Sequence, residues 1–250
     1  MMDSIDTQTY RDFEHIVIDG GSTDGTLGLL HEYQQKGRIT ALLSEPDKNL
    51  YQALNKGLRL SKGEYIHVMN SDDYLTDKNF FTFSLKIMNE AEVDFTHADK
   101  NIVTKEENFI TIKKGDERNA FFRMPFRHQT MIVRSSVFDD IGPFDEQYEI
   151  ASDYKFVLKM IMAGKKGLHI PQVLVCSREG GISSNRQKVI KEVTQVLYEA
   201  YGKKYGLSVE DCTDIYLRRI STTLFSKIKS NITDNRIVSS LSYCYLNQLS

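Results

Sequence analysis

The chain has 250 residues, of which 40% are hydrophobic and 26% charged, and 32 Lys plus Arg face 34 Asp plus Glu for a formal charge of -2. Such a chain can build a core, so disorder is excluded, and the near-neutral balance gives no footprint for nucleic acid. No apolar run is long enough to cross a bilayer, Met1-Met2-Asp3-Ser4-Ile5-Asp6 is not a secretion signal, and Cys176, Cys212 and Cys244 lie far apart without a Cys-x-x-Cys pair. A disulfide framework and a cysteine-type zinc site are thereby excluded, and a reducing, cytoplasmic setting is expected.

In chain order, His15-Ile-Val-Ile-Asp19 is β-branched and stops at a glycine pair, which predicts a buried strand. Ser22-Thr23-Asp24 offers capping oxygens for a helix carrying Leu27, Leu29, Leu30 and Tyr33, closed by Gly37. A strand from Ile39 to Ser44 follows, then a helix marked by Leu50, Ala53, Leu54, Leu58 and Leu60. A third strand, Tyr65 to Met69, runs into Asn70-Ser71-Asp72-Asp73. Strands separated by helices at this spacing predict an α/β fold with a mostly parallel sheet. Further strands are expected at Asp94 to Ala98, Phe109 to Lys113, Leu168 to Ile170 and Val173 to Val175. Helices are expected at Ser135 to Ile141 and Asp153 to Ala163. Beyond Asn185 the texture turns helical, in Val189 to Ala200, Ile215 to Ile228 and Ile237 to Leu249. Residues 1–185 therefore read as the main domain and 186–250 as a helical C-terminal extension. That extension holds ten Lys/Arg against six Asp/Glu, a balance of +4 on an acidic body of -6. Two readings of it stay open: packing against the body or a second subunit, as in a homodimer, or docking on an anionic membrane surface.

In open parallel sheets ligands gather outside the carboxyl ends of the strands, and two such ends here carry acids: Asp19 and the Asp72–Asp73 pair. Adjacent acids invite a divalent cation, and all-oxygen ligands favour Mg2+ or Mn2+, ions usually shared with substrate phosphates. A polar turn capping a helix is the competing reading of the same residues. The glycine-rich stretch Gly20 to Thr26 lacks both Gly-x-Gly-x-x-Gly and a Walker lysine. Asp153, at a predicted helix start, serves either as a cap or as a general base aimed into a cleft.

These segments, taken in order, resemble the family 2 glycosyltransferases of the GT-A fold, in particular bacterial enzymes of exopolysaccharide, O-antigen and colanic-acid-type glycan synthesis. The resemblance rests on His15-Ile-Val-Ile-Asp-Gly-Gly-Ser-Thr-Asp-Gly-Thr26, Ser44-Glu-Pro-Asp-Lys48, Ala53-Leu-Asn-Lys-Gly57, Gly63-Glu-Tyr-Ile66 and Asn70-Ser-Asp-Asp73. It continues with His128-Gln-Thr130, Ile141-Gly-Pro-Phe-Asp-Glu146, Ile150-Ala-Ser-Asp-Tyr154 and Gly180-Gly-Ile-Ser183, and covers about Ser4 to Ser184. It implies an inverting, metal-dependent transfer from a nucleotide-sugar donor to a glycan or lipid-linked acceptor. Asp153 would be the catalytic base. Asp19, Asp47, Lys48 and Asp72 would bind the donor, and Asp72 with Asp73 would hold Mn2+ or Mg2+. His128 and Gln129 would line the acceptor side, and residues 180–183 would form either a flap over the diphosphate or a turn. Asn70 stands where the family's Asp-x-Asp motif has its first acid. The resemblance also implies a cytoplasmic enzyme, peripheral at the inner membrane face. Relatives begin with a further strand, whereas Ser4-Ile-Asp-Thr-Gln-Thr-Tyr10 matches only the helix end that follows it. The first strand therefore reads as missing, and a non-catalytic remnant or scaffold subunit is the alternative.

Overall fold

The structure, a computed structural model, describes residues 1–180 and 185–249. After a short helix α1 (Met2–Asp6), its first half alternates as expected: β1 (Ile16–Asp19), α2 (Thr26–Gln35), β2 (Ala41–Ser44), α3 (Leu50–Leu60) and β3 (Tyr65–His67). Gly37 takes φ +70 just past α2, a conformation open to glycine at little cost. Asn49 caps α3, its side chain accepting from the Gln52 amide at 3.0 Å.

From Asn70 onward strands arrive without a helix before each. The elements are β4 (Asp73–Leu75), α4 (Phe80–Ala91), β5 (Phe95–Val103), β6 (Phe109–Lys113), β7 (Ile132–Arg134), α5 (Ser135–Ile141), α6 (Ser152–Met162) and β8 (Gly167–Arg178). The expectation of a mostly parallel sheet is corrected here. β1–β2 and β5–β8 pair parallel, whereas β3–β7, β4–β8, β5–β6 and β5–β7 pair antiparallel. A parallel pair needs a long crossover, and β5 to β6 is a hairpin turning at Glu107 with φ 65. The sheet is thus a mixed α/β assembly in two blocks, β1-β2 and β3-β7-β5-β8-β4 with β6 on β5.

Among the described residues β1 pairs only with β2 and β3 only with β7, so each has one unpaired edge. The starts of these two strands are tied by Glu14, whose Oε1 accepts the amides of Lys62 at 2.5 Å and Gly63 at 3.0 Å. α3 lies against β1, with Gly57 so close that an added Cβ would sit 3.6 Å from Ile18. The same helix reaches the second block: Asn55 exchanges hydrogen bonds with the Phe144 backbone at 2.8 and 3.0 Å.

The C-terminal residues form α7 (Arg186–Leu197), a π-helical turn Tyr198–Gly202, α8 (Val209–Tyr216), α9 (Thr222–Asn231) and α10 (Asn235–Leu249). The single helix expected over Ile215 to Ile228 is two, broken where Arg218 adopts φ 58. Their apolar faces share one cluster with the body: Val196, Leu197, Ile215 and Leu241 pack with Phe122, Tyr154 and Leu158. Tyr154 and Tyr201 hydroxyls donate to the carbonyls of Ala120 and Phe121 at 2.7 and 2.6 Å, so neither buried hydroxyl lacks a partner. All three cysteines are free and buried. No helix among the described residues is long and apolar enough to cross a membrane.

Candidate active site

Asp19 ends β1, the first of the expected acid positions. Its Oδ2 accepts from the amides of Gly21 (3.1 Å) and Ser22 (3.0 Å) and from Ser44 Oγ (2.6 Å), and its Oδ1 accepts from Ser22 Oγ at 2.5 Å. Burial alone would raise the carboxyl, but these donors outweigh it and hold the pKa at about 2. Asp19 is therefore committed to shaping the Gly20–Ser22 turn. Asp47 lies beside that turn, within 3.6 Å of where a Gly20 Cβ would stand, and pairs with Lys56 at 2.7 Å. Lys48 is exposed, and its backbone amide donates to Gln52 at 2.7 Å.

The second group of residues converges on α6. Asp153 opens this helix, and its Oδ2 takes a 2.7 Å hydrogen bond from His128 Nδ1. Oδ1 accepts from Tyr51 Oη at 3.2 Å and from the Tyr154 amide at 2.7 Å. Burial pushes this carboxyl up, but the hydrogen bond and charge of His128, the Tyr154 amide and Arg127 together bring it below its ordinary value. Tyr51 comes from α3 and also donates to the Ile150 carbonyl at 2.5 Å, so the β1-bearing block helps orient a carboxylate of the other block. His128 begins a short 3-10 turn, and its Nε2 is buried without a partner. Gln129 is buried too, its Oε1 unpartnered. Beneath them a small, largely apolar cavity is lined by His128 and Asp153 together with Ile66, Val68, Val133 and Phe156.

The C-terminal helices hold α6 at both ends. Glu192 of α7 accepts the amides of Glu149, Ile150 and Ala151 at 3.1, 2.8 and 3.0 Å, just ahead of Asp153. Arg236 of α10 donates to the carbonyls of Ile161 and Met162 at 3.0 and 3.3 Å. An anion at the amino end and a cation at the carboxyl end both suit the helix dipole.

Asp72 and Asp73, expected to act alike, are in different environments. Asp72 is exposed, whereas Asp73 is 1% exposed, begins β4 and faces Lys100 of β5 with Nζ 3.4 Å from its Oδ1. Burial raises the Asp73 carboxyl and lowers the Lys100 ammonium, and each partner's charge opposes that shift. The charge of His128 acts on Asp73, and that of Arg127 acts on both Lys100 and Asp153, so the two acid groups belong to one electrostatic neighbourhood. The donor set does not fit Mn2+ or Mg2+ held between Asp72 and Asp73. Asn70 is neutral, and Asp73 is already matched by an ammonium 3.4 Å away.

Tyr51, His67, Lys56, Lys100 and Glu192 were not singled out from the sequence. Lys100 could have been found had the strand been carried past Ala98, because a lysine inside a strand demands a partner. His67 is visible inside the Tyr65 to Met69 run; burial is the main cause lowering it to about 4, against a hydrogen bond with the Met131 carbonyl. Of the flap-or-turn segment, residues 181–183 lie outside the described residues.

The mixed α/β sheet with C-terminal helices packed on the body is the fold of the GT-A glycosyltransferases. The chain belongs to Glycosyl transferase family 2, whose model matches residues 1–144. It is 27% identical over 187 residues to a "PGL/p-HBAD biosynthesis glycosyltransferase" of Mycobacterium bovis, covering 73% of this chain and 72% of the relative. An uncharacterized glycosyltransferase of Haemophilus influenzae is 26% identical over 240 residues, 87% of this chain and 74% of that one. Among solved structures, S. aureus TarS 1-349 in complex with UDP-GlcNAc superposes with TM-score 0.65 at 17% identity, covering all of this chain and 74% of that one. The chain spans half the length of the longer S. aureus TarS structure, with TM-score 0.64 and 15% identity. Mannosyltransferase PcManGT from Pyrobaculum calidifontis, in complex with GDP-Man and Mn2+, gives TM-score 0.61 at 17% identity over all of this chain and 75% of that one.

Proposed function

We propose that the chain transfers a sugar from a nucleotide-sugar to a hydroxyl of a glycan or lipid-linked acceptor, with inversion, in bacterial surface glycan synthesis at the cytoplasmic face of the membrane. The observation that carries this reading is Asp153, anchored by Tyr51, His128 and the Tyr154 amide within the electrostatic neighbourhood of Asp73 and Lys100. Oδ2 accepts a single hydrogen bond and keeps a lone pair open, so it is the oxygen that would take the acceptor's proton. A carboxyl held below its ordinary pKa stays ionised at neutral pH and gains the proton only as the new C–O bond forms. The acceptor oxygen then attacks the anomeric carbon as the bond to the nucleoside diphosphate breaks, a single displacement that needs no covalent nucleophile. His128 Nε2 and Gln129 Oε1, both unpartnered, are the groups on hand for acceptor hydroxyls. Asp47 and Lys56 line the turn held by Asp19 and form the proposed nucleotide side.

The test is release of nucleoside diphosphate from a panel of UDP- and GDP-sugars with glycan and lipid-linked acceptors. Turnover should fall by a factor of about 10²–10⁴ in Asp153→Asn, the usual contribution of general-base catalysis. No turnover with any donor, alongside intact nucleotide binding, supports a second reading as a non-catalytic partner subunit. The open edges of β1 and β3 favour that reading, since unpaired strand edges are where another chain adds.

A further inference from the structure

We propose that Lys100, with Arg127 beside it, supplies the positive charge that receives the donor's diphosphate, in the role a divalent cation would otherwise fill; this rests on the donor reading above. The sheet register builds the arrangement. β8 lies between β5 and β4, with Lys100 opposite Val175 and Asp73 opposite Ser177, so the lysine reaches across β8 to the first residue of β4. Lys100 is 4% exposed, and Asp73 is its one ion-pair partner among the described residues. An ammonium has three N–H donors, and a buried one with donors unfilled is costly. Diphosphate oxygens are acceptors of the right kind and charge to fill them. On the other side of the pair, Asp73 Oδ2 is buried without a partner.

Charge balance points the same way. Asp72 and Asp73 carry two negative charges and Lys100 and Arg127 two positive ones, while Asn70 adds none. A divalent cation would meet two cations already in place, with Asp153, which the charge of Arg127 also reaches, as the one further acid. An incoming diphosphate meets the reverse: Arg127 is exposed and free to swing toward it, and Lys100 stands behind. The buried pair in the free protein then acts as a charge held ready for the leaving group, much as fixed cations stabilise departing phosphates elsewhere.

The decisive experiment is calorimetric titration of UDP and GDP into the full chain, once with excess EDTA and once with Mn2+ or Mg2+. The expected result is binding in EDTA within about twofold of that with metal. Lys100→Met should weaken the diphosphate by about tenfold or more, the scale of a charge-assisted hydrogen bond, while UMP or GMP binds within about threefold of wild type. Lys100→Arg should keep most of the affinity. Because Lys100→Met leaves Asp73 buried alone and could fail to fold, Asp73→Asn serves as the independent arm. A metal site would be lost in this variant, whereas a lysine site keeps or improves its grip in EDTA. Binding that requires metal, loss in Asp73→Asn, or equal weakening of mono- and diphosphate in Lys100→Met overturns the assignment and leaves the donor reading standing. No binding of either nucleotide under both conditions removes the donor reading itself.

Discussion

Asp19 and Asp153 are both carboxylates held below their ordinary pKa, and yet they are held differently. Every donor to Asp19 comes from its own turn or from the neighbouring strand, and all are local: Gly21, Ser22 and Ser44. Asp153 is instead gripped by side chains from α3 and from the 128–130 turn, with α7 bracing the backbone ahead of it. A carboxylate satisfied by its own loop shapes that loop. One positioned by three separate segments, with a lone pair left open, is placed for chemistry.

The contrast is tested hardest by comparing Asp153→Asn with Asp19→Asn. The first should cost a factor of about 10²–10⁴ in turnover with melting temperature and nucleoside-diphosphate affinity nearly unchanged. The second should lower stability first and turnover only through donor affinity. Equal losses of kcat in both would erase the distinction.

His67 and Asp19 should also lose their contributions at different acidities. His67 of β3 is held at about 4 against 6.5, so the folded state binds its proton later than the unfolded chain does. Its contribution is complete above pH 6.5 and is lost as pH falls toward 4, a term of about 3 kcal/mol. Asp19 is held at about 2 against 3.8, so its contribution is complete above 3.8 and is lost only as pH falls toward 2. Urea midpoints across pH 7 to about 4 should therefore drop in wild type and drop less steeply in a folded His67→Gln variant, His15 and His97, both also lowered by burial, carrying the rest. An unchanged slope would remove His67 as the source.

Asp19→Ala, which strands two amides and two hydroxyls, should destabilise by about 2–3 kcal/mol by denaturant titration. Tyr51→Phe, the one link from α3 to Asp153, should lower kcat by about tenfold at near-constant KM and cost about 1 kcal/mol of stability. The smallest effect belongs to Glu192→Ala, about 1 kcal/mol, seen as faster amide exchange at residues 149–151.

Much of this was legible in the sequence because it is local. The strand and glycine pair after His15, the helix marked by Leu50 to Leu60, and the Phe109–Lys113 and Ser135–Ile141 elements follow from period and punctuation alone. What was not legible depends on strand order. The alternation of strand and helix up to Tyr65 predicts parallel pairing, but nothing local says that β3 takes β7 as its neighbour or that β8 comes between β5 and β4. That order decides that Asp73 meets Lys100 and is buried, while Asp72, one residue earlier, faces solvent. Adjacent acids in sequence alternate in environment once a strand begins between them.

The account's central claim is that residues from separate segments meet around one donor diphosphate beside Asp153. The most direct check is to follow the histidine ring resonances of the isotope-labelled chain while UDP or GDP is added. The account predicts that His128 shifts with saturation, while His31, on the exposed face of α2, does not. Saturable nucleotide binding that leaves His128 unmoved would contradict it.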